Sequence, residues 1–69
     1  DRLYRIARLF ERAVEVFGGD ELAIEEARQW LRTPAWALGE ATPLAYARTE
    51  TGAREVETLL GRLDYSVLS

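Results

Sequence analysis

The 69 residues contain no cysteine, no histidine and no lysine. Without cysteine there is no disulfide to staple a small core and no thiol nucleophile. Without histidine the commonest general base and zinc ligand are missing, and without lysine no Schiff base can form. The carboxylates that remain do not converge: Glu25 and Glu26 are consecutive and point apart on a helix, while Glu11 and Glu15 share a helix face with Arg8 and Arg12 and read as solvated pairs. No glycine-rich phosphate loop is present, because Gly18-Gly19 has the place of a helix cap. Neither an enzyme nor a bound cofactor or metal is expected. The lack of cysteine also suits a reducing, cytoplasmic setting.

Two further absences bound the chain. No apolar run is long enough to cross a bilayer, and the start does not have the form of a signal peptide, so a soluble protein without membrane contact is expected. All nine basic residues are arginine, against twelve acids, for a net charge of −3 and a pI near 4.9. That balance makes a poor nucleic-acid binder by itself, since phosphate neutralisation needs a clustered positive face. Arg2, Arg5, Arg8 and Arg12 do gather on one side of the first helix, where a solvated face paired with Glu11 and Glu15 is expected. The chain opens with Asp rather than Met, and the expectation is that an N-terminal region precedes it. One domain, residues 1–69, is expected; at this length about 60% of the unfolded surface is buried, so a partner chain or second domain should supply part of the stability.

What is present centres on Trp30 to Leu44, WLRTPAWALGEATPL, which holds both prolines and both tryptophans. Thr33-Pro34 should stop the helix that carries Trp30 and Leu31. Gly39 can take the positive φ that closes a tight turn. Thr42-Pro43 has the form of a helix start, with Thr as N-cap and Pro at the first helical position. The stretch therefore reads as a non-helical elbow.

Amphipathic helices flank it. Leu3, Ile6, Ala7, Phe10, Ala13, Val14 and Phe17 form the apolar stripe of a first helix, with Leu9 and Val16 beside it, either buried in the core or facing another subunit or the expected N-terminal region. Asp20 is the N-cap of a second helix that runs to about Arg32, with Ala23, Ala27, Trp30 and Leu31 inward; Trp30 is expected to be the largest contributor to the core. Pro43 to Arg48 is one or two turns, with Leu44 and Ala47 inward. After a break at Thr49–Gly52, the last helix runs from about Thr51 to Tyr65 along the seam Ala53, Val56, Leu60, Leu63 and Val67. The fold class is all-α: a small bundle of three main helices plus a short inserted helix after the Pro/Gly elbow.

A DNA-reading helix-turn-helix needs a turn of three or four residues and a longer second helix, so the elbow does not fit one. Protein binding remains, with three candidate surfaces. Trp36 at the elbow tip is expected to fold back onto the core, the alternative being an exposed anchor. The tail Tyr65–Ser69 either closes the bundle or enters a groove on a partner. The third surface is the first helix.

The run from Ala27 to Leu44, A..WL.TP..ALG..TPL, followed by Thr49 to Leu63, T..GA.EV..LL.RL, and a short aromatic tail, resembles the toxin-binding domain of Xre/MbcA/ParS-type antitoxins over about two-thirds of the chain. Three positions depart from that pattern: Trp36 stands where a small polar residue is usual, Glu40 replaces a second Gly, and Ser66 stands where the tail often has Gly. The resemblance implies a partner, a RES-domain toxin that consumes NAD, blocked at its active site by the C-terminal end of the antitoxin. It also implies a homodimer, an N-terminal helix-turn-helix region through which alone DNA would be bound, and repression of the chain's own operon. The inhibitory contacts would fall on Arg62, Asp64, Tyr65, Ser66, Val67, Leu68 and Ser69. The scaffold would be Trp30, Leu31, Pro34, Leu38, Gly39, Pro43, Gly52, Val56 and Leu60. A dimerisation or scaffold module of a transcriptional regulator, without a toxin partner, is the alternative.

Overall fold

The computed structural model describes the backbone of residues 2–68 and the side chains of residues 3–63. The elements are α1 (Arg2–Val16), α2 (Glu21–Arg32), a 3-10 turn (Trp36–Leu38), α3 (Pro43–Tyr46) and α4 (Glu50–Leu68). Among the described residues the isolated β-bridges consist of one antiparallel pair, Ala35 with Ala41. α1 packs against both α2 and α4, and the short α3 fills the corner between α2 and α4. Arg5 meets Glu50 and Arg8 meets Glu57, so α1 and α4 run in the same direction.

The core is Leu9, Ala13, Ala27, Leu38, Ala47, Ala53, Val56 and Leu60. Half of these are alanines, which let the helix backbones approach closely, and the larger side chains that fill the remaining space are Leu9, Val56 and Leu60, with Pro43. This corrects the reading of α1. Its buried arc is turned toward Leu9, which is 1% exposed, and Val16, while Leu3 is 78% exposed and Ala7 also faces water. The cause is that two helices grip α1, and the line midway between them runs through Leu9 and Ala13. Leu9 belongs to the chain's own core, not to a subunit interface.

Trp30 is corrected too. It is half-buried and packs edge-on against Phe17, ring centroids 6.3 Å apart at 62°. An interior built on close alanine contacts has no room for an indole, which lies at its rim.

The helix ends follow the local chemistry. The Asp20 carboxylate accepts from the Ala23 N–H at 2.8 Å, the Thr42 hydroxyl from Ala45 at 3.1 Å and the Thr49 hydroxyl from Gly52 at 2.9 Å, each satisfying a first-turn donor. The break expected at Thr49–Gly52 is thus a cap, and α4 starts at Glu50 and extends beyond Tyr65 to Leu68. Gly52 is required by proximity: a Cβ there would overlap the Tyr46 carbonyl oxygen and lie 2.9 Å from its carbon. The Arg5 guanidinium donates to the carbonyls of Arg48 at 2.9 Å and Ala47 at 3.4 Å, which ties α1 to the corner where α3 ends and leaves Arg5 Nε buried without a hydrogen-bond partner.

Candidate functional site

The elbow is a closed, cross-braced loop. Thr33 ends α2 in an extended conformation, φ −99° and ψ 128°, as the residue before a proline should. Its hydroxyl donates back to the Gln29 carbonyl at 2.7 Å. Ala35 then holds both sides of the loop: its N–H donates to the Ala41 carbonyl, and its own carbonyl accepts from Leu38 and Glu40, all at 3.0 Å. The turn closes through Gly39 at φ 66°, followed by Glu40 at φ 71°. Glu40 is the non-glycine residue with positive φ among the described residues. That conformation costs a side-chain-bearing residue about 1–2 kcal/mol.

Trp36 does not fold back. With three residues per turn, a 3-10 segment cannot direct both Trp36 and Leu38 inward. Leu38 takes the inward position at 7% exposure, and Trp36 is driven out to 87%. The elbow thus presents a large apolar ring and a carboxylate, Trp36 and Glu40, from a backbone fixed by its own hydrogen bonds.

Beside it, Ala37 and Leu38 face Glu55, Thr58, Leu59 and Arg62 of α4 across an open groove of about 260 Å³. This falls below the usual size of a small-molecule site, and its lining offers one apolar strip between charges of opposite sign, a surface suited to a protein contact. Glu55 also lines a surface cleft with Tyr46. The hydrogen bond to the Glu55 carboxylate, then its negative charge, then desolvation, raise the Tyr46 pKa above the ordinary value of about 10. Among the described residues, no group of three or more acidic, histidine or cysteine side chains is placed to hold a metal ion. No helix there is long and apolar enough to cross a membrane.

Of the arginine row of α1, the Arg2 side chain lies outside the described residues, and Arg5, Arg8 and Arg12 are tied down. Arg8 pairs with Glu57 at 2.7 Å and lies 5.9 Å from the Tyr4 ring centroid, and Arg12 pairs with Glu15 at 3.6 Å. Arg5 is spent on the Ala47 and Arg48 carbonyls just past α3 and on Glu50. This is a partly neutralised, half-exposed face, with two pairs, Arg5 with Glu50 and Arg8 with Glu57, reaching across to α4 where only partners on α1 were expected.

Of the residues expected to form the scaffold, Leu31, Leu38, Pro43, Gly52, Val56 and Leu60 are buried, Trp30 is half-buried, and Pro34 and Gly39 are exposed, acting through the backbone. Of those expected to contact a partner, Arg62 is exposed on the groove wall. The side chains of Asp64, Tyr65, Ser66, Val67 and Leu68, and all of Ser69, lie outside the described residues. The sequence reading missed the groove, because its two walls are far apart in sequence, and missed Glu40 as a surface feature. A charged residue directly after a turn glycine was the signal that pointed to it.

Residues 12–65 match the family described as the antitoxin Xre/MbcA/ParS C-terminal toxin-binding domain. An antitoxin Xre of Yersinia enterocolitica serotype O:8 is 42% identical over 69 residues, covering 100% of this chain and 45% of the relative. An antitoxin Xre of Photorhabdus laumondii is 37% identical over 68 residues, covering 99% of this chain and 44% of the relative. The chain thus spans less than half the length of these curated relatives. No solved structure matches it significantly. Because one family matches most of its length, and two antitoxins align with nearly all of its residues over part of their own length, the chain belongs to the antitoxin Xre/MbcA/ParS C-terminal toxin-binding domains and is not an enzyme.

Proposed function

We propose that the chain neutralises a RES-domain toxin in the cytoplasm by occupying its NAD-consuming active site, and that the contact is made by the C-terminal end of α4, from Arg62 through Asp64, Tyr65, Ser66, Val67, Leu68 and Ser69. Full-length protein dimerises, binds its own operator through a region N-terminal to this domain, and represses its operon. The observation that carries the reading is the match of residues 12–65 to a toxin-binding domain. The geometry supports it in one respect: α4 continues to Leu68, about two turns past Leu60, the last fully buried core residue among those described. Inhibition of this kind needs no chemistry from the chain. Apolar side chains filling a substrate cleft exclude the substrate, and a carboxylate such as that of Asp64 pairs with arginines that otherwise hold a phosphate.

The test is a titration of the domain into purified RES-domain toxin from the same source, following NAD consumption, beside a variant lacking Tyr65–Ser69. Inhibition by the full domain and not by the truncated one is the expected result. Equal inhibition by both would move the contact onto the helices. Inhibition by neither would leave a dimerisation module and defeat neutralisation.

A further inference from the structure

We infer that the elbow tip is a second anchor for the same toxin: the Trp36 indole enters an apolar pocket on that partner, and Glu40 pairs with an arginine or lysine at the pocket's rim. This rests on the reading of the chain as a toxin-neutralising domain, and adds a surface remote in sequence from the end of α4.

Three observations carry it. Trp36 is 87% exposed on a loop whose backbone is closed by the Ala35, Leu38, Glu40 and Ala41 hydrogen bonds. On so fixed a backbone, docking orders only the indole's own two torsions, and tryptophan is prominent among residues that dominate binding energy. Second, Glu40 occupies a left-handed conformation, φ 71°, that glycine adopts without cost, and its carboxylate has no ion pair or hydrogen bond among the described residues to offset the strain. Strained positions of this kind cluster where function requires the side chain. Third, the groove between Ala37, Leu38 and Arg62 starts at the elbow and leads along α4 toward its C-terminal end, so one partner can cover both. A carboxylate beside the indole, on a chain of net charge −3, selects a cationic rim.

The test measures affinity of the whole chain for the purified RES-domain toxin from the same source. Trp36→Ala is expected to weaken binding by at least about 30-fold while the thermal midpoint stays put, because the side chain is solvated. Glu40→Gly is expected to hold or raise the thermal midpoint, by relieving the positive φ, yet to weaken binding about threefold and flatten its salt dependence. A residue with only a structural role would not separate stability from affinity in this way. Leu22→Ala, exposed on α2, should change neither quantity. Affinities of Trp36→Ala and Glu40→Gly within twofold of the unaltered chain would overturn the inference and leave neutralisation standing. So would loss of a homodimer in Trp36→Ala with toxin affinity intact, since the occupant would then be a second copy. Failure of the unaltered chain to bind the toxin would defeat neutralisation itself, and the elbow anchor with it.

Discussion

Gly52→Ala and Gly61→Ala place the same methyl group on the same helix, and the structure predicts opposite signs for them. At Gly52 the new Cβ would overlap the Tyr46 carbonyl oxygen, lie 2.9 Å from the Tyr46 carbonyl carbon and 3.1 Å from Thr49 Oγ1. The first two are backbone, so relief requires α3 to move off α4, disturbing buried Pro43 and Ala47. Overpacking of this kind costs about 1–3 kcal/mol; a backbone obstruction belongs at the upper end, and the helix propensity of alanine returns up to about 1 kcal/mol. A net loss of about 2 kcal/mol, set against an unfolding entropy of about 2 cal/mol/K for each of 69 residues, lowers the melting temperature by about 14 °C. At Gly61 a Cβ meets nothing within 4 Å, so the propensity gain survives and the melting temperature should rise by about 5 °C. Thermal unfolding followed by circular dichroism at 222 nm measures both. A Gly52→Ala chain as stable as the unaltered one would refute the claim that close approach of α3 dictates the glycine.

Further outcomes follow from the packing and the electrostatics. Leu9→Ala should cost about 3 kcal/mol and Trp30→Ala about 2 kcal/mol in denaturant titrations, because the smaller side chain is the fully buried one. Arg5→Met keeps the aliphatic stem but removes the donors to Ala47 and Arg48, and should lower stability by about 1.5 kcal/mol. The raised Tyr46 pKa means that the unfolded chain gives up its phenolic proton first. The associated stability is therefore complete below about pH 10 and lost as pH rises through the folded-state value. Tyr46→Phe should flatten that alkaline decline in melts recorded from pH 8 upward.

Much of this was legible in the residues because it is local. Asp20, Thr42-Pro43 and Gly39 each act on neighbours within four positions, and each element end they announce is found. The helical periodicities of α2 and α4 were readable for the same reason. Apart from the ends of α4, which begins at Glu50 and runs on to Leu68, the failures are tertiary. The stripe on α1 is wide enough to be buried at several rotations, and only the joint position of α2 and α4 selects the one centred on Leu9. Trp30 reads as a core residue by size, yet the alanines at 27, 47 and 53 bring the backbones too close to admit it. Trp36 reads as apolar and therefore inward, but competition with Leu38 for one inward position, decided by the 3-10 geometry, turns it out. At the candidate site, Arg62 and the elbow could each be singled out in sequence. Their meeting across a groove could not, since it depends on α4 passing beside a loop that precedes it by two elements.

The parallel packing of α1 on α4 has a consequence for the order of events during synthesis. Leu9 and Ala13 complete a core whose other half, Val56 and Leu60, is made last. Translation at about 10 residues per second separates the two by several seconds, whereas helical domains of this size close in microseconds to milliseconds. Throughout that interval the first helix has only α2 to pack against, and the part of its apolar face that α4 covers is open to proteases and to chance association. Closure of the core waits for α4, so a chain cut short before Ala53 lacks the whole half of the core that Ala53, Val56 and Leu60 supply.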